Sequence, residues 1–171
     1  LWVQDAYRIG ITGPDGAFLG DALPLATIAI EPAPGDYPNR LAANFEGQLL
    51  LQGYQYDDVR LAAGAELTTT LYWQTLADLA AEYELRLELW DENEDLRVRQ
   101  HRPLLVEETG RNIGANWQAA YGLTLPSDLA PGSYEVRLSV VAAASNELLH
   151  TIGDSGNWID IYVYLARIRV D

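Results

Sequence analysis

The chain has 171 residues, 49% apolar and 21% charged, enough for one medium domain with a real core, or one domain plus part of another. Its basic residues are all Arg and its net charge is −14, so the chain repels nucleic acid and anionic membrane, and both are poor partners. Cys is absent, which rules out a disulfide, a thiolate metal site and a Cys nucleophile, and no apolar run is long enough to span a bilayer.

The chain opens at Leu1, contains no Met, and has no signal-peptide pattern before Trp2, which reads as a segment of a longer protein. Residues 1–31 hold two strand-like stretches around Gly13-Pro14-Asp15-Gly16, strong reverse-turn chemistry. They echo the chain's end: Tyr7-Arg8-Ile9-Gly10-Ile11 is similar to Tyr134-Glu135-Val136-Arg137-Leu138, and Leu25-Ala26-Thr27-Ile28-Ala29-Ile30 to Leu165-Ala166-Arg167-Ile168-Arg169-Val170. The piece reads equally as the tail of a preceding copy or as strands sharing one pattern. It is too short to fold alone, so it is expected to pack on the main domain or on a partner chain, as in a homodimer through residues 1–31. Residues 32–38, rich in Pro, read as a linker, and 39–171 as the principal domain.

In that domain the dominant rhythm has period two. Leu67, Thr69, Leu71 and Trp73 share one face, with Thr68, Thr70 and Tyr72 on the other. Tyr83, Leu85, Leu87 and Leu89 alternate with Glu84, Arg86 and Glu88. Tyr134, Val136, Leu138 and Val140 alternate with Glu135, Arg137 and Ser139. Residues 48–56, 118–125 and 158–170 follow the same rhythm. In the last, Ile159, Ile161, Val163 and Leu165 share one phase and Ile168 and Val170 the other, which a bulge near Leu165-Ala166 would reconcile. Residues 76–84, rich in Ala, suggest a helical turn. Turns are expected at Leu61-Ala62-Ala63-Gly64, at 91–95 and at 126–132. The whole reads as all-β, an antiparallel two-sheet β-sandwich of immunoglobulin-like or jelly-roll-like type.

Residues 40–150 carry a recognisable series: Leu41-Ala42-Ala43-Asn44-Phe45-Glu46-Gly47-Gln48-Leu49-Leu50-Leu51-Gln52-Gly53-Tyr54, then Leu61-Ala62-Ala63-Gly64-Ala65-Glu66-Leu67-Thr68-Thr69-Thr70-Leu71-Tyr72-Trp73, then Leu125-Pro126 and Ala130-Pro131-Gly132-Ser133-Tyr134. This series resembles a β-sandwich domain in the extracytoplasmic parts of bacterial multi-pass membrane proteins, many of them similar to family 39-type (dolichyl-phosphate-mannose) glycosyltransferases. The chain departs from that pattern at Ala63, where a Pro is frequent, and at Ala65-Glu66, where the acidic residue is shifted by one. The resemblance implies an extracytoplasmic or cell-surface location on a membrane-anchored parent, with this segment itself not inserted. It transfers no catalytic residue.

Two stretches resemble sites of chemistry. Gly153-Asp154-Ser155-Gly156 resembles the nucleophile tetrapeptide of trypsin-like proteases, but only His101 and His150 exist as bases and neither lies in a matching motif. Asp91-Glu92-Asn93-Glu94-Asp95 mimics the start of a calcium loop, yet the sixth and twelfth positions are Leu96 and Arg102, where an EF-hand needs Gly and Glu. A looser calcium site through Asp91, Asn93 and Asp95 is the weak metal candidate, set against a hairpin turn rich in carboxylates. No cofactor motif is present, and no enzyme activity is expected of this segment.

Five Trp and ten Tyr stand against two Phe. An indole can cover the apolar C–H face of a pyranose. Trp73 follows the inward phase and reads as core. Trp90, Trp117 and Trp158 are the candidates for ligand contact. Two functions follow from the residues: a structural or interaction module with a protein partner, or a carbohydrate-binding module presenting glycan to an attached glycosyltransferase.

Overall fold

In the computed structural model residues 37–171 are described, except 80, 105, 107 and 154, together with 11–12, 14 and 18–20. The chain divides into two units, Leu1–Ala33 and Pro34–Asp171. In the first, β1 (Ile11–Thr12) and β2 (Phe18–Gly20) pair antiparallel, with Pro14 in a turn between them. Most of the strands read in residues 1–31, and the dimer expected through them, fall outside the described residues.

The second unit is a two-sheet β-sandwich. Its strands are β3 (Asn39–Phe45), β4 (Leu49–Tyr56), β5 (Arg60–Leu61), β6 (Glu66–Thr75), β7 (Tyr83–Trp90), β8 (Leu96–Pro103), β9 (Asn116–Thr124), β10 (Gly132–Ala142), β11 (Glu147–Leu148), β12 (Thr151–Ile152), β13 (Trp158–Asp160) and β14 (Val163–Val170). One sheet runs β13-β12-β3-β4-β6-β9; the other runs β5-β14-β10-β7-β8, with β11 also on β10. All pairings are antiparallel except β5 with β14. Among the described residues the only helical segment is a short 3-10 turn, Glu108–Arg111.

The alternation in the sequence makes this architecture. The inward sets Leu67, Leu71 and Trp73 on β6 and Leu85, Leu87 and Leu89 on β7 are almost completely buried, as are Val136, Leu138 and Val140 on β10. Each Leu or Val removed from water contributes about 1.5–3 kcal/mol. The shared core also takes Phe45, Leu49 and Leu51 from one sheet and Leu165, Ile168 and Val170 from the other. A register shift between β10 and β14 opposes Val136 to Ala166 and Arg137 to Tyr164, so Leu165 is the extra residue that lets both phases of β14 face inward.

Three expectations are corrected. Residues 158–170 are not one strand: β13 belongs to one sheet and β14 to the other, and Ile161 between them stays exposed. The described residues of 76–84 form no helix: those before Tyr83 cross from β6 to β7, tied by Leu76 N–H to Gln48 O (2.9 Å) and Leu79 N–H to Arg111 O (3.4 Å), and Tyr83 and Glu84 open β7. Tyr37, read as linker, belongs to the sandwich. It is buried, its ring meets Tyr72 at 4.8 Å, and it packs so close to Gly53 that a Cβ there would come within 2.7 Å of the Tyr37 Cβ.

Candidate functional site

The three Trp candidates have three different surroundings. Trp90 ends β7 on its outward phase, beside Arg137 of β10, whose guanidinium sits 4.8 Å from the ring centre. Its Nε1 donates to Glu88 Oε2 (3.0 Å). Glu88 is 4% exposed and also receives Arg99 Nε at 2.6 Å, with Arg86 Nε at 3.1 Å. The outer face of this indole is thus half-buried beneath a cation and its edge is already hydrogen-bonded.

Trp117 is not a surface residue in the sense expected. It pairs directly with Trp73 across β6 and β9, so both point inward, and the two rings stack with centroids 5.7 Å apart and planes at 17°. Its Nε1 donates to Thr75 Oγ1 (3.1 Å), which in turn donates to Gly110 O (2.5 Å). The signal for this was available in the sequence: Trp117 shares the phase of Tyr121 and Leu123, both buried.

Trp158 is different. It lies on β13, the edge of its sheet, and is 68% exposed, next to Ile159 at 70%. Its indole lies flat on the His150 imidazole, centroids 3.8 Å apart and planes at 9°. His150 stands where the chain changes sheets: Leu149 N–H bonds Val140 O on one, and His150 O accepts from Glu46 N–H on the other. Glu46 Oε1 accepts from His150 N–H (2.9 Å) and pairs with Nδ1 (2.8 Å). Glu46 and Gly47 are the two central residues of the turn from Phe45 to Gln48 between β3 and β4, closed by Gln48 N–H to Phe45 O (2.9 Å), both with positive φ (49° and 69°) as in a type I′ turn. Burial pushes the Glu46 carboxyl up, but the hydrogen bonds from the His150 backbone and ring outweigh it and hold the group below its ordinary value.

These residues line one side of a cleft of about 740 Å³. It sits between two of the segments in which the chain crosses from sheet to sheet, the described residues of 76–82 and residues 149–150. Asp78 and Glu147 add carboxylates, Tyr83 a hydroxyl, Gln48 an amide, and Leu148 and Ile161 apolar surface. Burial, then the Glu46 charge, pushes the Tyr83 hydroxyl pKa up, so that hydroxyl remains a donor. An exposed, flat-held indole with hydroxyl, amide and carboxylate groups around it is equipped to hold a ligand having one apolar face and several polar edges. Of the residues forming it, the sequence offered only Trp158 as a ligand contact, and His150 only as a base without a matching catalytic motif.

The other candidates resolve into turn structure. Asp91 Oδ1 accepts from the backbone N–H of Asn93 and of Asp95, both at 2.9 Å, so this carboxylate caps the β7–β8 turn. Among the described residues no group of three or more His, Cys, Asp or Glu is placed to hold a metal. The tetrapeptide at 153–156 is the tip of the β12–β13 hairpin, closed by Gly153 N–H to Asn157 O (3.0 Å). Ser155 Oγ accepts from Asn157 Nδ2 (3.2 Å), while His150 is turned to Glu46; Asp154 lies outside the described residues. Among the described residues no helix is long and apolar enough to cross a membrane.

No protein-family model matches the chain, and no curated protein matches it. Among solved structures it is similar to a Niemann-Pick type C2 protein from Japanese carpenter ant, at TM-score 0.44 and 8% identity over 80% of this chain and 98% of that one. It is similar to Spo0M, a sporulation control protein from Bacillus subtilis, at TM-score 0.36 and 19% identity over 76% and 49%. It is also similar to a β-glucosidase from Listeria innocua, at TM-score 0.37 and 12% identity over 68% and 15%. At these values the likenesses carry no functional argument.

Proposed function

We propose that this chain is a non-catalytic extracytoplasmic module of a larger membrane-associated protein, and that it works by binding carbohydrate in the cleft beside Trp158. The observation that carries the reading is the indole itself, 68% exposed yet held in a fixed plane by the imidazole beneath it. An aromatic side chain left mostly in water at an edge strand adds little to the fold, whereas a pre-oriented one offers a stacking platform at low entropic cost. The cleft volume lies inside the range of about 300–1,000 Å³ usual for small-molecule sites. The parent is expected to resemble the family 39-type glycosyltransferases, for which such a module would position glycan.

A purely structural or protein-interaction role is the second reading, favoured by Trp90 and Trp117, whose indoles are engaged within the domain. A glycan array, probed with the chain and with Trp158→Ala, separates the two. Binding that depends on Trp158 supports the carbohydrate reading; silence across the array leaves the interaction role in its place.

A further inference from the structure

Resting on the carbohydrate reading above, we infer that Glu46 fixes the hydrogen of the His150 ring on Nδ1, so that Nε2 serves the cleft as a bare acceptor for a saccharide hydroxyl beside the Trp158 platform. Glu46 is then a positioning residue, and His150 a second ligand contact.

The assignment follows from what each atom is able to do. A neutral imidazole carries one hydrogen, on Nδ1 or on Nε2, and the nitrogen without it is an acceptor. An ionised carboxylate only accepts. Glu46 Oε1 lies 2.8 Å from His150 Nδ1 and also receives the His150 backbone N–H at 2.9 Å. Burial pushes the Glu46 pKa up, but these two hydrogen bonds outweigh it and keep the group ionised, so Nδ1 is the donor. The one ring hydrogen is committed to Glu46, and Nε2 keeps its lone pair. Nε2 has no hydrogen-bond partner among the described residues, and His150 lines the cleft.

The ring is held in this sense from three directions. Its face lies on the Trp158 indole, centroids 3.8 Å apart and planes at 9°. Its backbone is tied to Glu46 on both sides, through His150 N–H to Oε1 and through Glu46 N–H to His150 O (3.1 Å). A half-turn of the imidazole would present a carbon to Glu46 and lose the 2.8 Å bond. Acceptor and platform belong to one stacked pair of rings, so their relation is fixed before a ligand arrives. A pyranose presents what both require, a C–H face for the indole and hydroxyl hydrogens at its edge for the nitrogen.

The acceptor exists only while the imidazole is neutral. An imidazole ordinarily takes its second hydrogen near pH 6.5, and Nε2 then becomes a donor. The titratable groups that share the cleft are Glu46 of the β3–β4 turn, Asp78 of the crossing segment, Tyr83 of β7 and Glu147 of β11. Carboxyls and phenols ordinarily titrate near 4 and 10, outside the window from about pH 5.5 to about pH 8. The other imidazole, His101, pairs with Glu84 and does not line the cleft.

The test begins with nitrogen-15 NMR of the histidine rings in the full chain at about pH 8, where a bare ring nitrogen and one bearing hydrogen are well separated. Nδ1 of His150 should carry the hydrogen and Nε2 should be bare. In Glu46→Gln, whose amide both accepts and donates, the two nitrogens should move toward a common average. A hydrogen on Nε2, or on both nitrogens, in the native chain overturns the inference, as do ring shifts left unchanged by Glu46→Gln. Titration calorimetry with cellotetraose, mannotetraose and an N-acetylglucosamine tetramer then reads the contact. Binding by the native chain should weaken about three- to ten-fold from about pH 8 to about pH 5.5, the value of one hydrogen bond. His150→Phe, which keeps a flat ring under the indole and has no acceptor, should bind more weakly by the same factor at about pH 8 and show no change between the two pH values. Equal native affinity at both pH values, or His150→Phe binding as tightly as the native chain, overturns Nε2 as a contact and leaves the carbohydrate reading standing. The absence of binding by all three probes also overturns the contact, and together with a silent glycan array it removes the carbohydrate reading as well.

Discussion

Glu46 and His150, 104 residues apart in sequence, hold each other through three hydrogen bonds where the chain passes between sheets. Glu46 does this from a left-handed backbone conformation, φ 49°, which costs an L-residue about 1–2 kcal/mol. Two opposing effects are therefore superposed at one residue. Glu46→Ala removes the carboxylate and keeps the strain; Glu46→Gly removes both. Urea denaturation should find the Gly variant more stable than the Ala variant by about 1 kcal/mol. Equal midpoints would contradict the hairpin geometry.

Acid should weaken the fold by a defined route. The Glu135 carboxyl is held below its ordinary value of 4.5 by hydrogen bonds from Arg137 and then Arg167. Glu46 is held low by His150 against the opposing effect of burial. A carboxyl whose folded pKa is depressed contributes its full stability above the unfolded value and loses it as pH falls through the folded one. The urea midpoint should stay level from neutral pH down to about 5 and then fall, with a shallower fall in Glu135→Gln. A midpoint that rises on acidification would contradict these pairings.

Trp117 and Trp158 should respond oppositely to truncation. Trp117 packs on the core through Trp73 and is anchored at Thr75, so Trp117→Ala should cost about 3 kcal/mol. Trp158 is 68% exposed, and Trp158→Ala should cost at most about 1 kcal/mol. Thermal or urea unfolding of the two variants decides this, and similar losses in both would place one of the rings wrongly.

Glu88 is a buried carboxylate on the outward phase of β7, serving Arg99, Arg86 and Trp90 together. Removing it leaves the Arg99 and Trp90 donors without their acceptor and Arg86 without its counter-charge. Glu88→Ala should destabilise by about 3 kcal/mol, and Glu88→Gln, which keeps one acceptor oxygen, by less. Chemical denaturation of the pair checks the order.

The sandwich was legible because apolar side chains at every second position have one way to leave water together. The strands around Leu71, Leu87 and Leu138 follow from that alone, and so does the bulge at Leu165. Residues 158–170 misled because the same rhythm continues through Ile161 while the chain changes sheets; alternation marks a strand but not which sheet receives it. The Ala-rich stretch at 76–84 has helical propensity, but its backbone is claimed by Gln48 in the β3–β4 turn and by Arg111 in the 3-10 turn. Trp158 could be singled out as an indole at a strand start. Glu46 could not, because its role exists only once a hairpin tip and a crossing segment meet.

The central claim is that Trp158, and not another indole, is the contact surface of the module. Each of the five Trp side chains gives one indole N–H resonance in a nitrogen-15-labelled sample, assignable by single Trp→Phe variants. Titration with a saccharide identified on the array should move the Trp158 resonance and leave those of Trp73, Trp90 and Trp117 in place. A spectrum in which Trp90 or Trp117 shifts while Trp158 stays still would contradict the account.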